Sequence, residues 1–247
     1  MPKTERDCRV NPVDFKAFGL PLGGITLELS RFSNSPETAR GLTATREALE
    51  EGGVVFLDYH ASLADIVVVA MQSTHYFRID SLIAPFAAKH LKGKFVHHLG
   101  ERMKATGAEV HRVFRPDELK IVHEKHGGDF EKAFGVTREQ RKAENKEFAR
   151  RAREIVHEPH SAMIVAPFGT RHKHLTPDSL IGGEVATLLQ SGVAAVCTYA
   201  QPSKIPPFYR VHLSEEVIRF QRDSSKRDLT TAITSEFEKL KSRSKRR

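Results

Sequence analysis

Tryptophan is absent from the 247 residues, and aromatic side chains make up only 8% of them. Cysteine occurs twice, as Cys8 and Cys197, far apart in the chain. Such a pair offers no disulfide framework and points to a reducing compartment. No apolar run approaches the roughly 18 residues that suggest a membrane-crossing helix. The opening residues Met1-Pro2-Lys3-Thr4-Glu5-Arg6-Asp7 lack the apolar stretch of a signal peptide. These absences set the expectation of a cytoplasmic protein that meets a membrane, if at all, from its surface. Histidines cluster at His97-His98, His123-x-x-His126 and His172-x-His174. No cysteine accompanies them and no His-Glu-x-x-His pattern occurs, so no metal or other cofactor is expected.

Basic residues are in excess: 39 Lys and Arg against 31 Asp and Glu give a formal net charge of +8. A chain so charged attracts anionic partners, whether phosphates, acidic carrier proteins, anionic lipid surfaces or nucleic acid. Against nucleic acid stands the lack of any aromatic-interleaved basic motif, helix-turn-helix signature or zinc finger. The hydrophobic share of 39% is enough to fill a core.

Apolar periodicity marks the elements. Ser35 as N-cap, Pro36 at the first position and Gly52-Gly53 as the stop define a helix over 36–51. Val54 to Leu57 reads as a buried strand, and Leu63 to Met71 as a buried helix or a second strand. Ser81 to Ala84 suggests a strand leading into a helix from about Pro85 to Lys92. Gly107 to Arg115 reads as a short strand entered through glycine. Arg138 to His157 is a charged helix whose apolar face carries Phe148, Ala152, Ile155 and Val156. Ser161 to Ala166 and Val193 to Tyr199 are buried strands, separated by a helix from about Gly183 to Gln190. Phe208 to Leu213 alternates like a late strand, and Leu229 to Leu240 is an amphipathic helix. Before all of these, Gly19 to Gly24 reads as a loop and Ile25 to Leu29 as a strand. Phe15, Phe18, Leu20, Leu22 and Ile25 there either pack on the core or face a membrane.

Strands separated by helices predict an α/β sheet covered on both faces. Residues 1–35 form an N-terminal segment on the core or membrane. Residues 36–240 form the domain, with a polar insertion or flap at about 116–157. Residues 241–247 form a basic, frayed tail that solubilises the end or touches anionic lipid.

The chemistry-bearing residues fall where strands become turns. His60 follows the first buried strand, and Asp65 stands five positions later. A carboxylate on one imidazole nitrogen fixes the tautomer and steadies the imidazolium that forms when the other nitrogen takes a proton. Such assistance supplies on the order of 10²–10⁴ in rate. The same residues also fit a plain capping arrangement, with Ser62 as N-cap, Asp65 at N3 and His60 in the loop. Arg112 lies within or after a third strand, with Arg115 competing for its role. Pro167-Phe168-Gly169-Thr170-Arg171 follows the Ser161 strand.

In this order the segments resemble the glycerolipid acyltransferase family that includes the 1-acylglycerol-3-phosphate acyltransferases. That family carries His-x4-Asp, here His60 to Asp65; a Gly-to-Arg strand motif, here Gly107 to Arg112 and one residue tighter; Pro-Glu-Gly-Thr-Arg, here Pro167 to Arg171; and an apolar strand with proline, here Val193 to Tyr199 without it. The resemblance covers about residues 40–200. It implies a central mixed, largely parallel sheet flanked by helices, the glycerol-3-phosphate acyltransferase-like fold. It implies a fatty acyl group moved from acyl-CoA or acyl carrier protein to a hydroxyl of a lysophospholipid or polyol phosphate. His60 is then the general base and Asp65 its orienter. Arg171 and Arg112 hold the acceptor phosphate, Gly169 allows close backbone approach, and Thr170 adds a hydroxyl. An anionic membrane surface is the implied setting. Three departures stand out: Tyr59 where the family has Asn, Phe168 where it has Glu, and a longer Arg112-to-Pro167 interval. They leave room for a catalytically silent relative that binds acyl lipids.

Overall fold

Val54 to Asp58 is buried at all five positions, and such a strand must be covered on both faces. In the computed structural model it is the centre of a seven-stranded sheet. The structure describes residues 19–22, 25–28, 30–59, 65–87, 104, 107–114, 116–168, 182–205 and 208–245. Its strands are β1 (Gly19–Leu22), β2 (Ile25–Glu28), β3 (Ser30–Phe32), β4 (Val54–Asp58), β5 (Ser81–Ala87), β6 (Ala108–Val113), β7 (Ser161–Val165), β8 (Ala194–Pro202) and β9 (Tyr209–Leu213). Its helices are α1 (Pro36–Glu51), α2 (Asp65–Phe77), α3 (Pro116–His126), α4 (Phe130–Phe134), α5 (Arg138–Ile155), α6 (Gly183–Leu189) and α7 (Lys226–Lys245).

The sheet order is β3-β9-β8-β4-β7-β5-β6, with β1 and β2 paired apart from it. Strands β8, β4, β7, β5 and β6 run parallel to one another. At one margin β9 turns back antiparallel to β8, and β3 follows β9. The expected α/β architecture and largely parallel mixed sheet are therefore present.

Side-chain alternation along β4 distributes the core. Val54 and Phe56 pack with Leu42 and Leu49 of α1 and with Val67, Val69 and Ala70 of α2. Val55, Leu57 and Tyr59 pack on the other face with Phe148 and Ile155 of α5, Leu189 of α6, and Ile233 and Phe237 of α7. Each fully buried side chain of this size contributes about 1.5–3 kcal/mol. Helix α1 starts as its sequence dictates: Ser35 Oγ accepts from the Thr38 N–H at 3.1 Å, with Pro36 opening the first turn. Its Gly41 lets the helix lie against the exit of β9, where a Cβ would stand 2.1 Å from the Ser214 carbonyl oxygen.

Several elements differ from the sequence-based expectations. Gly19–Leu22, expected as a loop, is strand β1, paired with β2. Ser30–Phe32 is a strand formed by pairing with β9. The helix expected from Pro85 gives way to β5, which continues to Ala87. Pairing of β5 with β7 stops at Ile83 while pairing with β6 continues. Pro85 thus falls where one side of the strand has no neighbour, the setting in which a strand tolerates proline. The open choice at Leu63–Met71 resolves as helix α2 over its described part. The polar stretch after Arg115 contains α3 and α4. Lys241 to Lys245, within the tail expected to fray, are the last turn and a half of α7, with Ser244 buried.

Candidate active site

Parallel strands send all their carboxyl ends to one edge, and open α/β sheets bind ligands there. Strand β4 lies between β7 and β8, with Leu57 opposite both Val165 and Cys197. The chain continues from Asp58 and Tyr59 to His60, and from Val165 through Phe168 to Gly169, Thr170 and Arg171. His60, Gly169, Thr170 and Arg171 lie outside the described residues, as do Ser62 and Arg115. What is described is the frame from which they depart. Tyr59 N–H donates to the Thr198 carbonyl at 2.9 Å, which carries the β4 ladder one residue past the strand.

Asp65 is 1% exposed and opens α2. A buried carboxylate belongs at a helix start, where the dipole favours negative charge. Its charge is felt by two neighbours. Asp58 is equally buried. Thr198 Oγ1 donates to Asp58 Oδ1 at 3.1 Å, while Oδ2 has no hydrogen-bond partner among the described residues. Burial, then the nearby Asp65 charge, push the Asp58 carboxyl well above its usual range, against the Thr198 bond. Tyr199 is shifted up by burial, Asp65 and Tyr59. Asp58, a second buried acid beside Asp65, is a feature that sequence reasoning missed. The signal was an Asp closing an otherwise apolar run.

An aromatic wall adjoins these acids. Tyr59 meets Tyr199 edge-on at 5.8 Å and Phe237 edge-on at 5.4 Å. Phe168 meets Phe237 at 6.2 Å. One turn beyond Phe237 on α7, Lys241 Nζ donates to Tyr59 Oη at 3.1 Å and lies 4.7 Å from the centre of its ring. The Ser244 carbonyl accepts from Gln201 Nε2 of β8 at 3.1 Å. These contacts hold the end of α7 on the carboxyl edge of the sheet.

Arg112 is not an open fork. Its Nε and Nη2 donate to the two oxygens of Glu144 on α5, the first at 2.7 Å. Its guanidinium also stands 5.2 Å from the Phe114 ring. Nearby, Asn145 pairs with both backbone groups of Phe114, at 3.0 Å each. Strand β6 is thereby tied to α5, and a phosphate at Arg112 would compete with a paired carboxylate. Glu109 is similarly held below its usual range, chiefly by Arg151.

Among the described residues no group of three or more His, Cys, Asp or Glu side chains gathers as a metal site. His97, His98, His172 and His174 lie outside them, while His123 is exposed on α3. A cleft bordered by Gly53, His157, Val193 and Arg219 opens at the amino ends of β4 and β8, away from these motifs. There Arg219 pairs with Glu51 at 2.6 Å. Among the described residues no helix is long and apolar enough to cross a membrane. No protein-family model matches the chain, and no curated protein matches it.

Proposed function

We propose that the protein is an acyltransferase. It moves a fatty acyl group from the thioester of acyl-CoA or acyl carrier protein to a hydroxyl of a lysophospholipid or polyol phosphate. The reading rests on the ordered motifs His60 to Asp65 and Gly169 to Arg171 in the sequence. The observation that carries it furthest is the adjacency of parallel β4 and β7, the strands that precede those motifs. Buried Asp65 at the start of α2 supplies the carboxylate the reaction needs.

In this mechanism His60 takes the proton of the acceptor hydroxyl and Asp65 stabilises the imidazolium. The alkoxide oxygen forms a bond to the thioester carbon. The tetrahedral adduct then collapses, the carbon–sulfur bond breaks, and the leaving thiolate takes the proton back from His60. No acyl-enzyme forms. Arg171 holds the acceptor phosphate by its paired donors, Gly169 lets the backbone approach, and Thr170 adds a hydroxyl contact. Arg112 is left to its structural pairing with Glu144. A membrane-surface setting fits the basic charge.

The test is release of free thiol from a long-chain acyl-CoA on addition of a lysophospholipid or polyol phosphate. His60→Ala should lower that rate on the order of 10²–10⁴-fold. An unchanged rate in His60→Ala removes the catalytic assignment. The aromatic wall of Tyr59, Phe168 and Phe237 also suits a protein that binds acyl chains without turnover. Lipid that co-purifies with a chain releasing no thiol would favour that second reading.

A further inference from the structure

Several cations on the described surface are matched to carboxylates. Arg40 pairs with Glu215, Arg112 with Glu144, Arg151 with Glu109, and Arg219 with Glu51. On α7 itself Lys239 pairs with Glu236, and Arg243 with Glu215. Lys241 is built differently. The one hydrogen bond of its ammonium among the described residues goes to a phenol oxygen, Tyr59 Oη. The same ring offers its face, 4.7 Å away at the centroid. Tyr59 is 4% exposed and locked between Tyr199 and Phe237, so the ammonium is set in one place.

The placement has a chemical consequence. An ammonium has three N–H donors, and one serves Tyr59. A partly buried cation with no counter-charge among the described residues gains most from an anion that enters beside it. The amine stands at the carboxyl edge, against the residue that precedes His60 in the chain. Asp58 and Asp65 are both buried, and burial raises the Asp58 carboxyl well above its usual range.

We infer that Lys241, set by Tyr59, binds a phosphomonoester at the carboxyl edge of the sheet. The inference deepens the acyltransferase reading and rests on it for which substrate brings the phosphate. The site itself stands on the geometry of Lys241. Two sources share the chemistry, the phosphate of a glycerol-type acceptor and the 3′-phosphate of coenzyme A.

Titration calorimetry on the full chain tests it without requiring turnover. The probes are sn-glycerol 3-phosphate, glycerol, coenzyme A and 3′-dephospho-coenzyme A. Lys241→Met keeps the apolar stem and should weaken one phosphomonoester at least tenfold, with glycerol and the dephospho probe unaffected. Loss on glycerol 3-phosphate assigns the site to the acceptor; loss on coenzyme A alone assigns it to the donor. Lys241→Arg should stay within a few-fold of the parent chain. Arg112→Met, whose guanidinium is already paired, should bind as the parent does. Thermal unfolding of each variant separates lost binding from lost folding. Should the parent bind neither phosphomonoester, or Lys241→Met bind both unchanged while folded, the inference is overturned. Binding that depends on Lys241 in a chain that releases no thiol would defeat the acyltransferase reading and leave the site standing.

Discussion

Asp58→Asn isolates the buried acid that closes β4. Asn has the same shape, and its carbonyl can accept the Thr198 hydroxyl that Asp58 Oδ1 accepts at 3.1 Å. Its amide replaces an Oδ2 that has no hydrogen-bond partner among the described residues. Below about pH 4 both chains carry a neutral group at this position, in both the folded and the unfolded state. Above it the unfolded parent chain releases its proton. The folded parent keeps it, because burial and the Asp65 charge raise the carboxyl well above the usual 3.8. Over that window the folded state binds one more proton than the unfolded state. Parental stability must therefore fall as pH rises, by about 1.4 kcal/mol per pH unit. The loss stops once pH passes the raised folded value.

Asn does not titrate, so its chain escapes this loss. Urea unfolding of both chains at half-unit steps from pH 4 to pH 8 gives two stability curves. Asp65 and every other group contribute to both and cancel in the difference. That difference should open in favour of Asp58→Asn by about 1.4 kcal/mol per unit at the acid end, then level off. The pH at which it levels is the folded titration point of Asp58. Parallel curves across the whole range would refute the reasoning, because they would show the carboxyl ionising in the folded chain as it does in water.

Two further substitutions probe how α1 and α7 are seated. Gly41→Ala gains up to about 1 kcal/mol of helix propensity but drives a Cβ to 2.1 Å from the Ser214 carbonyl oxygen. Overpacking against backbone costs about 3 kcal/mol, so the net loss should be near 2 kcal/mol, about 4–8 °C in Tm; a stabilised variant would mean that α1 does not lie on β9 as described. Phe237→Ala removes a ring that is 0% exposed and should cost about 3–5 kcal/mol in urea unfolding. A loss below about 1 kcal/mol would contradict its place between Tyr59 and Phe168.

The parts of the fold legible in the sequence are those fixed by local chemistry. Val54–Asp58, Ser161–Val165 and Ala194–Pro202 announce themselves as apolar runs because strands buried on both faces have no polar side to alternate. Helices α1 and α5 carry their own start signals, Ser35 with Pro36 and the Thr137–Gln140 capping box. What was not legible depends on distant partners. Ser30-Arg31-Phe32 is a strand because Tyr209 to Val211 pairs with it. Pro85 stays in β5 because the β7 ladder has already ended. Lys241 to Lys245 stay helical where Tyr59 and Gln201 meet them, although their composition is that of a solubilising tail. At the site, His60 and Asp65 stand out by type and spacing. Nothing local to Arg112 reveals that Glu144, 32 residues on, closes its fork.

The two side chains that depart most from the resembled motif, Tyr59 and Phe168, meet a common partner. Both rings pack edge-on against Phe237, at 5.4 Å and 6.2 Å. Edge-to-face pairs add about 0.5–1.5 kcal/mol beyond the area they bury, so the three rings stabilise one another. The same face of α7 brings Lys241 to the Tyr59 hydroxyl one turn later. Tyr59 after β4 and Phe168 after β7 are matched to one helix face that carries both an apolar ring and an amine. That coupling ties the carboxyl edge of the sheet to α7 through both ring packing and a hydrogen bond.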